Sequence, residues 1–444
     1  MKRRLSSFQI IIGGFVVVIL VGSILLMLPC ATQDGKGASF IEALFTATSA
    51  TCVTGLVVQD TATYWSLFGQ CVILILIQIG GMGVVTMVSL MSLIAGRKIG
   101  LKQRSTMQEA IAAPNLGGIV RLTGFIIKAT LLIESLGTLL LFPVFYKDFG
   151  VFRGLWFSVF HAVSAFCNAG FDLMGESVKY SSLTGYANNL VVNIVIMSLI
   201  VIGGIGFLTW EDVKNNGPYI KRYRMQSKVI LVVTAILIVI PFFFFYMLEM
   251  NSGKWPVMSE GEKILAALFQ TITPRTAGFN TIDLTKMSEA GQTLTMLLML
   301  TGGAPGSTAG GMKVTTLGVL VMIMIAVFQR KADANCFGRR IPEDTVKYAA
   351  TILLMYFLLF LIGGMVISTY EGLPMLTCLF ETASAIGTVG LTLGITPSLG
   401  LISRIVLILL MFFGRVGCLT LVFAASTGAK MNPARLPLEK ITVG

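Results

Sequence analysis

One structural unit is repeated four times along the 444 residues of the chain. Each copy has a long apolar run, a short amphipathic piece that begins with Phe and ends in small or hydroxyl residues, a glycine, and a second long apolar run. The short pieces occupy residues 45–56, 160–171, 269–279 and 380–391. The Phe and the glycine are ten residues apart in three copies and nine apart in the third. Such repetition predicts four equivalent quarters, at residues 1–95, 96–210, 211–329 and 330–444.

The short pieces differ from membrane-spanning segments in length and polarity. A segment of about ten to fourteen residues does not cross the hydrocarbon of a bilayer, and these pieces are too polar to face lipid. They predict short helices that dip into the membrane and return, with their backbone lining water or protein. The second apolar runs carry glycine clusters, at 80–83, 203–206, 302–306 and 414–417. Close packing of membrane helices explains those clusters equally well.

Composition places most of the chain in lipid. Hydrophobic residues make up 55% and charged residues 12% of the chain, and a soluble protein of this length needs far more charge to cover its surface. The repeats and the composition together predict an all-α membrane protein, built from four tandem helix–pore loop–helix repeats around a pseudo-four-fold pore. About eight spanning helices and about four re-entrant pore helices are expected.

The net charge of +12 comes from basic residues that gather in alternate connections. Lys and Arg cluster around residues 2–4, 97–104, 221–228, 330–340 and 430–440, while the intervening connections carry scattered acids. This positive-inside pattern predicts a multi-pass protein of the plasma membrane with both termini in the cytoplasm. It argues against nucleic acid as a partner. The first apolar stretch, residues 8–28, is interpreted as a spanning helix rather than a signal peptide.

The sequence offers little chemistry for an enzyme or a resident cofactor. The seven cysteines are odd in number and lack metal-ligand spacing, so neither disulfides nor a zinc site is predicted. A catalytic site in the membrane needs a nucleophile with a base, paired acids or a metal cluster, and the chain has one histidine. No nucleotide-binding fingerprint is present, because the glycine-rich stretch 302–311 lacks the Gly-Lys-Ser/Thr ending. We therefore expect no enzymatic activity and no cofactor in this chain.

The stretch that follows each short helix is expected to form part of an ion filter. Glycine allows backbone angles that other residues resist, so successive carbonyl groups can point at one axis. Rings of carbonyl oxygens replace the hydration shell of a potassium ion, and the C-terminal ends of the short helices favour a cation. Potassium is the only metal ion expected, held by backbone carbonyls. The predicted filter residues are Cys52, Val53, Thr54, Gly55, Cys167, Asn168, Ala169, Gly170, Thr276, Ala277, Gly278, Gly387, Thr388, Val389 and Gly390.

The rest of the filter pattern limits its selectivity. No ring of carboxylates appears at these positions, which argues against a calcium filter. Only the final glycine is common to all four copies. We therefore expect fewer well-defined ion sites and looser selectivity than in a four-chain potassium channel.

A gate is predicted in the second apolar run of the third copy. Glycines and Pro305 interrupt residues 301–311 in mid-membrane, where no regular helix can continue. Irregular backbone at that depth must be buried or line a cavity; a simple kink is the alternative. Arg415, a costly charge within the membrane, is expected below the filter as an electrostatic barrier, with a structural ion pair as the alternative. The predicted gate residues are Gly302, Gly303, Gly306, Gly310, Gly311 and Arg415, and Lys313, just past the loop, is expected to play a role related to that of Arg415.

Three further residues near the filter are singled out by charge or position. Arg275 is expected to point away from a cation pathway and to bind carbonyls or acids. Glu381 and His161 follow the leading Phe of their copies. Glu381 braces the filter from behind or packs in the core, with neither reading preferred.

The four repeats resemble the KtrB/TrkH/HKT superfamily of potassium transporters over essentially the whole chain. TrkH-type members carry two additional N-terminal helices that are missing here, so the resemblance is closer to KtrB. It implies a homodimer, with one pore in each chain, on a cytoplasmic ring of KtrA/TrkA-type regulatory subunits that bind a nucleotide, ATP/ADP or NAD. It also implies potassium uptake, sodium-dependent in some members, and an intramembrane loop with a nearby arginine at the gate.

The function expected from the residues and the resemblance is channel-like potassium uptake across the plasma membrane, gated by a regulatory subunit. The alternative is a secondary cation transporter with alternating access. Such transporters usually have two-fold or inverted repeats with midplane sites in broken helices. Four parallel copies fit a four-fold pore better.

Overall fold

The computed structural model describes residues 6–94, 99–111, 117–331 and 333–417, together with Thr420, Ala424 and Glu439. A two-residue hairpin, β1 (Asn335–Cys336) with β2 (Arg339–Arg340), accompanies the helices. The helices of the described residues are α1 Ser7–Leu26, α2 Phe40–Cys52, α3 Leu67–Met82, α4 Val84–Ile94, α5 Leu101–Ile111, α6 Ile119–Phe166, α7 Leu190–Gly204, α8 Phe207–Asn216, α9 Met225–Phe244, α10 Glu260–Ile272, α11 Glu289–Leu300, α12 Val314–Phe328, α13 Glu343–Glu371, α14 Met375–Gly387 and α15 Leu401–Val416.

Four helical segments of the described chain are long and apolar enough to cross a membrane: Ser7–Leu26, Ile119–Phe166, Met225–Glu249 and Glu343–Glu371. Each is the first apolar run of one predicted quarter. Two bent helix pairs raise the number of possible spans to six. The chain is therefore an all-helical membrane protein with several spans.

The second apolar runs bend at their glycine clusters. The axes of α3 and α4 differ by 99°, and those of α7 and α8 by 95°. Gly83 and Gly206 lie at these bends with φ of 85° and 89°, and Gly417 ends α15 with φ of 89°. Only glycine adopts such angles without strain. Sequence analysis anticipated a break only in the third copy, because glycine clusters are equally compatible with straight, closely packed helices.

The four short helices precede the predicted filter segments. They are α2, the part of α6 after a kink at Gly150 (φ 75°), α10 and α14. Capping boxes define where two of them begin: Ser39 with Glu42 at α2, and Ser259 with Glu262 at α10. The Phe that leads each predicted piece is at most 1% exposed in all four copies: Phe45, Phe160, Phe269 and Phe380. The repeated Phe therefore anchors each short helix in the core.

Candidate functional site: a ring of four glycine-ended segments

The final glycines of the four predicted filter segments, Gly55, Gly170, Gly278 and Gly390, lie next to one another, although they come from distant parts of the chain. A Cβ built on Gly55 would lie 2.5 Å from the carbonyl oxygen of Ala169, and one built on Gly170 would lie 2.6 Å from that of Ala277. Each glycine therefore faces the carbonyl group that precedes the glycine of the next quarter.

The same contact closes the ring through the other two quarters. A Cβ on Gly278 would overlap the carbonyl oxygen of Val389, and one on Gly390 would overlap that of Thr54. The order of contact is first, second, third, fourth and back to first. No residue other than glycine fits this ring without displacing a backbone carbonyl.

Backbone conformation alternates in the same way in all four segments. The residue two positions before each glycine has φ between 52° and 66°, and the glycine itself has φ between 68° and 94°. Alternating left-handed and ordinary angles turn successive carbonyl groups toward the same side of the chain. The residues two positions before the glycines are Val53, Asn168, Thr276 and Thr388. β-Branched side chains resist this conformation, and such strain is concentrated at functional sites.

A hydroxyl side chain at one position of each short helix holds the segment that follows. The amide of Gly55 donates to Ser49 Oγ (3.1 Å), and that of Gly390 donates to Ser384 Oγ (3.0 Å). In the second quarter Ser164 Oγ donates to the carbonyl of Phe171 (2.7 Å), and in the third Thr273 Oγ1 donates to that of Phe279. These four residues are not among the predicted site residues, although every copy has a hydroxyl side chain four residues after its leading Phe.

A cavity of about 100 Å³ adjoins the ring on the side where the chain leaves the glycines. All four glycines line it, together with Asp60 and Asp172. The pKa of Asp172 is raised to about 7, mainly by burial and also by the neighbouring Asp60, while the Met174 amide opposes the shift. Asp60 accepts bonds from the amides of Ala62 (3.0 Å) and Tyr180 (2.9 Å). The carboxyl groups of Asp60 and Asp172 therefore both line the cavity next to the ring.

The glycine-rich segment 302–311 lies on the opposite side of the ring. A Cβ on Gly310 would overlap the hydroxyl of Thr388, and one on Gly311 would lie 2.9 Å from the carbonyl oxygen of Gly387. Backbone hydrogen bonds tie the segment to the second and fourth quarters: Ala304 donates to Gly204 (2.9 Å), Phe207 donates to Gly306 (2.7 Å), and Gly311 donates to Gly414 (3.1 Å).

The segment also closes on itself. The Gly302 amide donates to the Met312 carbonyl (2.7 Å), and the Val314 amide donates to the Gly303 carbonyl (3.0 Å). The segment is thus a compact loop under the fourth filter segment, more elaborate than a simple kink.

Two cations hold this loop through its carbonyl groups. Arg415 donates from Nη1 to the Thr308 carbonyl, and from Nη2 to the carbonyls of Gly80 and Gly81, the latter at 3.1 Å. Lys313 Nζ donates to the carbonyls of Ala309 (2.8 Å) and Gly310 (3.2 Å). Both side chains line a cavity of about 330 Å³ on this side of the ring. Among the described residues, the hydrogen-bond partners of Arg415 are backbone oxygens of the first and third quarters, and no carboxylate pairs with it.

The three further residues singled out by sequence have polar partners near the ring. Buried Arg275 donates from Nη2 to Thr234 Oγ1 (3.3 Å), a hydroxyl instead of the expected carbonyl or acid. Glu381 Oε2 accepts from Thr396 Oγ1 (2.9 Å), and His161 Nε2 accepts from the Leu173 amide (3.4 Å). Glu381 and His161 therefore both brace the chain that leaves a filter glycine.

Several spans surround irregular backbone whose carbonyl groups meet in a ring, and this combination defines a membrane transport protein. Among the described residues, no three His, Cys, Asp or Glu side chains come together as a metal site. The family described as "TrkH: Cation transport protein" matches residues 3–214 and 223–432. The chain belongs to this family, whose members are transporters, not enzymes.

Similar proteins support the assignment over the full length. The chain is 42% identical to the potassium/sodium uptake protein NtpJ of Enterococcus hirae, over 100% of this chain and 98% of that protein. It is 39% identical to the Ktr system potassium uptake protein B of Bacillus subtilis, over 99% and 97% of the two chains. The crystal structure of the potassium transporter TrkH from Vibrio parahaemolyticus has the same fold, with a TM-score of 0.74 at 19% identity, covering 97% of this chain and 86% of that one.

Proposed function

We propose that the chain is the pore-forming membrane subunit of a potassium uptake system of the Ktr type. Its relatives in Enterococcus hirae and Bacillus subtilis are named for potassium/sodium uptake and for potassium uptake by the Ktr system, at 42% and 39% identity over nearly their whole lengths. Potassium is the principal substrate, and sodium takes part as a second transported or activating ion.

The observation that carries this proposal is the closed ring of the four glycines. Each of them faces the carbonyl oxygen of the next quarter, so each quarter contributes one equivalent segment. The quarters 1–95, 96–210, 211–329 and 330–444 then act as four helix–pore loop–helix repeats around a pseudo-four-fold pore. Carbonyl oxygens arranged in this way suit a dehydrated monovalent cation.

We assign the filter to the fifteen residues predicted from sequence, and to their backbone oxygens in particular. The loop 302–311 acts as the gate, with Gly302, Gly303, Gly306, Gly310 and Gly311 supplying its backbone freedom. Arg415 places a positive charge beside it, and Lys313 adds a second. The hydrogen bonds of both cations to loop carbonyls support this role, because a cation that moves away from the pathway would carry the loop with it.

The setting of the chain follows from the charge pattern and the relatives. The chain lies in the plasma membrane with both termini in the cytoplasm. It works as a homodimer on a KtrA-type ring that binds the regulatory nucleotide. The regulatory KtrA-type subunits dock on the basic connections on the cytoplasmic side of the pore.

Ion flux into vesicles that contain the purified chain tests the proposal. Potassium and rubidium uptake down a gradient should exceed sodium uptake by about tenfold or more, because carbonyl rings discriminate by replacing the hydration shell. Equal uptake of sodium and potassium would contradict a potassium filter. A flux that requires a proton gradient and that saturates at a low turnover would favour the alternative of alternating access.

A further inference from the structure

A carboxyl side chain lies buried behind the second filter segment. Glu134, on α6, is 6% exposed and belongs to a helix that is long and apolar enough to span a membrane. Its Oε2 accepts a hydrogen bond from Nε2 of Gln78 on α3 (3.1 Å). An ionisable residue inside a span is costly and is kept mainly where it has a function. The filter and gate assigned above make no use of it.

The Glu134 and Gln78 side chains meet the filter at Cys167, the first residue of the second segment. Cys167 Sγ lies 3.5 Å from Gln78 Oε1 and 3.8 Å from Glu134 Oε1. A Cβ on Gly81 would lie 2.6 Å from the same sulfur. Cys167 is therefore enclosed on three sides, and a change in the Glu134–Gln78 pair cannot be absorbed by free space.

The partners of Glu134 indicate that it is uncharged. In the described part of the chain it forms no ion pair, and the polar groups that face it are an amide and a thiol. Lys128, on the same helix, is exposed, and the Arg415 guanidinium is engaged by carbonyls of α3. A buried carboxylate without a cation is strongly disfavoured relative to the neutral acid. In its neutral form Glu134 accepts from the Gln78 amide through Oε2 and lies within hydrogen-bond distance of the Cys167 thiol through Oε1.

Displacement of Cys167 would be transmitted to other parts of the filter and to the gate. The side-chain amide of Asn168, the next residue, lies 3.2 Å from Thr276 Oγ1 in the third filter segment. The gate residue Thr308 donates from Oγ1 to the Phe166 carbonyl (3.0 Å), just before Cys167. The second segment is thus held between Glu134 on one side and the third segment and the gate on the other.

We propose that neutral Glu134 is a positioning residue that holds the second filter segment in register and thereby sets the preference for potassium over sodium. This inference rests on the proposed function. It predicts that an uncharged hydrogen-bonding side chain suffices at this position and that an apolar one does not.

The experiment compares Glu134→Gln and Glu134→Leu in vesicles that contain the purified full chain. Glu134→Gln replaces one neutral hydrogen-bonding group by another. It should therefore keep the potassium KM and the potassium-to-sodium uptake ratio within about twofold of the unmodified protein. The pH profile of uptake between pH 6 and 8 should also stay the same. Glu134→Leu should lower the ratio by about tenfold, as expected for one lost buried hydrogen bond. Gln78→Leu should match it, and the double variant should add little.

Matched controls separate this role from general damage to the fold. Ser135→Ala removes a polar group from the exposed neighbouring position of α6 and should change neither ion preference nor KM. The elution volume and the melting temperature in detergent show whether each variant is folded. If a variant transports poorly, the potassium and sodium concentrations that raise its melting temperature give a second measure of ion preference.

Two results would overturn the inference. An unchanged ion preference in folded Glu134→Leu would show that Glu134 does not position the filter. A loss in Glu134→Gln as large as in Glu134→Leu would show that a negative charge is needed instead. The proposed function fails separately, if the unmodified protein itself does not distinguish potassium from sodium.

Discussion

At each of the four ring positions a side chain is excluded for two separate reasons. The backbone angle is left-handed, which costs a non-glycine residue about 1–2 kcal/mol, and the space that a Cβ needs is filled by the carbonyl oxygen of the next quarter. The carbonyl is itself the group proposed to bind the ion. Substitution therefore disturbs the ligand directly as well as the fold.

Gly170→Ala tests this double constraint. We expect potassium uptake to fall, and the potassium-to-sodium ratio to drop by about tenfold or more, because the new methyl group pushes the Ala277 carbonyl out of the ring. Gly185→Ala is the matched control, since nothing lies within 4 Å of a Cβ at that position. Radioactive rubidium uptake measures both variants. An unchanged ion ratio in Gly170→Ala would contradict a filter at the ring.

The second residue-scale prediction concerns Asp172, whose pKa burial raises to about 7. Above this pH the side chain is negatively charged and attracts cations to the cavity next to the ring; below it the side chain is neutral. The potassium KM of the unmodified protein should therefore rise as the pH on the Asp172 side falls from 8 to 6. Asp172→Asn should have a high KM that does not change over this range.

Glu176→Gln is the control for the pH prediction. Glu176 belongs to the same connection, but it is exposed, pairs with Arg153 and does not line the cavity. It should leave the pH profile of KM as it is. The same profile in Asp172→Asn as in the unmodified protein would assign the titration to another group.

At the scale of elements, the loop 302–311 that we propose as the gate is held by contacts with several other helices. Its amides and carbonyls bond to α7, to the first residue of α8 and to α15, and the Arg415 guanidinium joins it to α3. The hydrogen bonds of Arg415 are made by its side chain and can be removed by a single substitution, whereas the amide-to-carbonyl bonds cannot. A substitution at Arg415 therefore tests its side-chain bonds to the loop while the backbone hydrogen bonds of the loop stay in place.

Arg415→Gln is expected to raise the potassium flux of the chain in vesicles severalfold in the absence of regulatory subunits. It removes a positive charge beside the pathway and most of the donors that hold the Thr308, Gly80 and Gly81 carbonyls. Arg404→Gln is the control, because Arg404 also bonds a carbonyl, that of Pro397, but lies at the other end of α15. Reduced or unchanged flux in folded Arg415→Gln would contradict a barrier at this position.

At the scale of the whole molecule, the ring depends on all four quarters at once. Its four contacts join residues that are more than one hundred positions apart in sequence. An ion bound in the ring therefore links the quarters, and binding to the folded state alone stabilises it by mass action. Ion binding and global stability should change together.

Potassium should raise the melting temperature of the purified chain at lower concentrations than sodium does. At a concentration one hundred times the dissociation constant, the stabilisation is about 2.7 kcal/mol, which shifts the midpoint by several degrees. Gly170→Ala should lose the difference between the two ions, while Gly185→Ala should keep it. Equal shifts by potassium and sodium in the unmodified protein would indicate a site without preference.

The amino-acid sequence by itself determined the class of fold and the repeating unit. Apolar runs, alternating basic connections and four Phe-to-Gly pieces are local patterns, and their physical meaning, transfer into lipid and glycine's backbone freedom, does not depend on what lies nearby. The all-helical membrane fold with several spans and the family assignment were accordingly confirmed. The filter and gate residues remain predictions that the ring geometry supports.

The tertiary structure alone decided which groups meet. The four glycines face their neighbours' carbonyls in cyclic order, Arg415 reaches the first and third quarters, and Glu134 lies behind Cys167 with Gln78. The bends at Gly83 and Gly206 were also decided there, because a glycine cluster is compatible with a straight or a bent helix until its packing partners are known. Contacts between distant residues depend on how whole helices pack, and no single stretch of sequence carries that information.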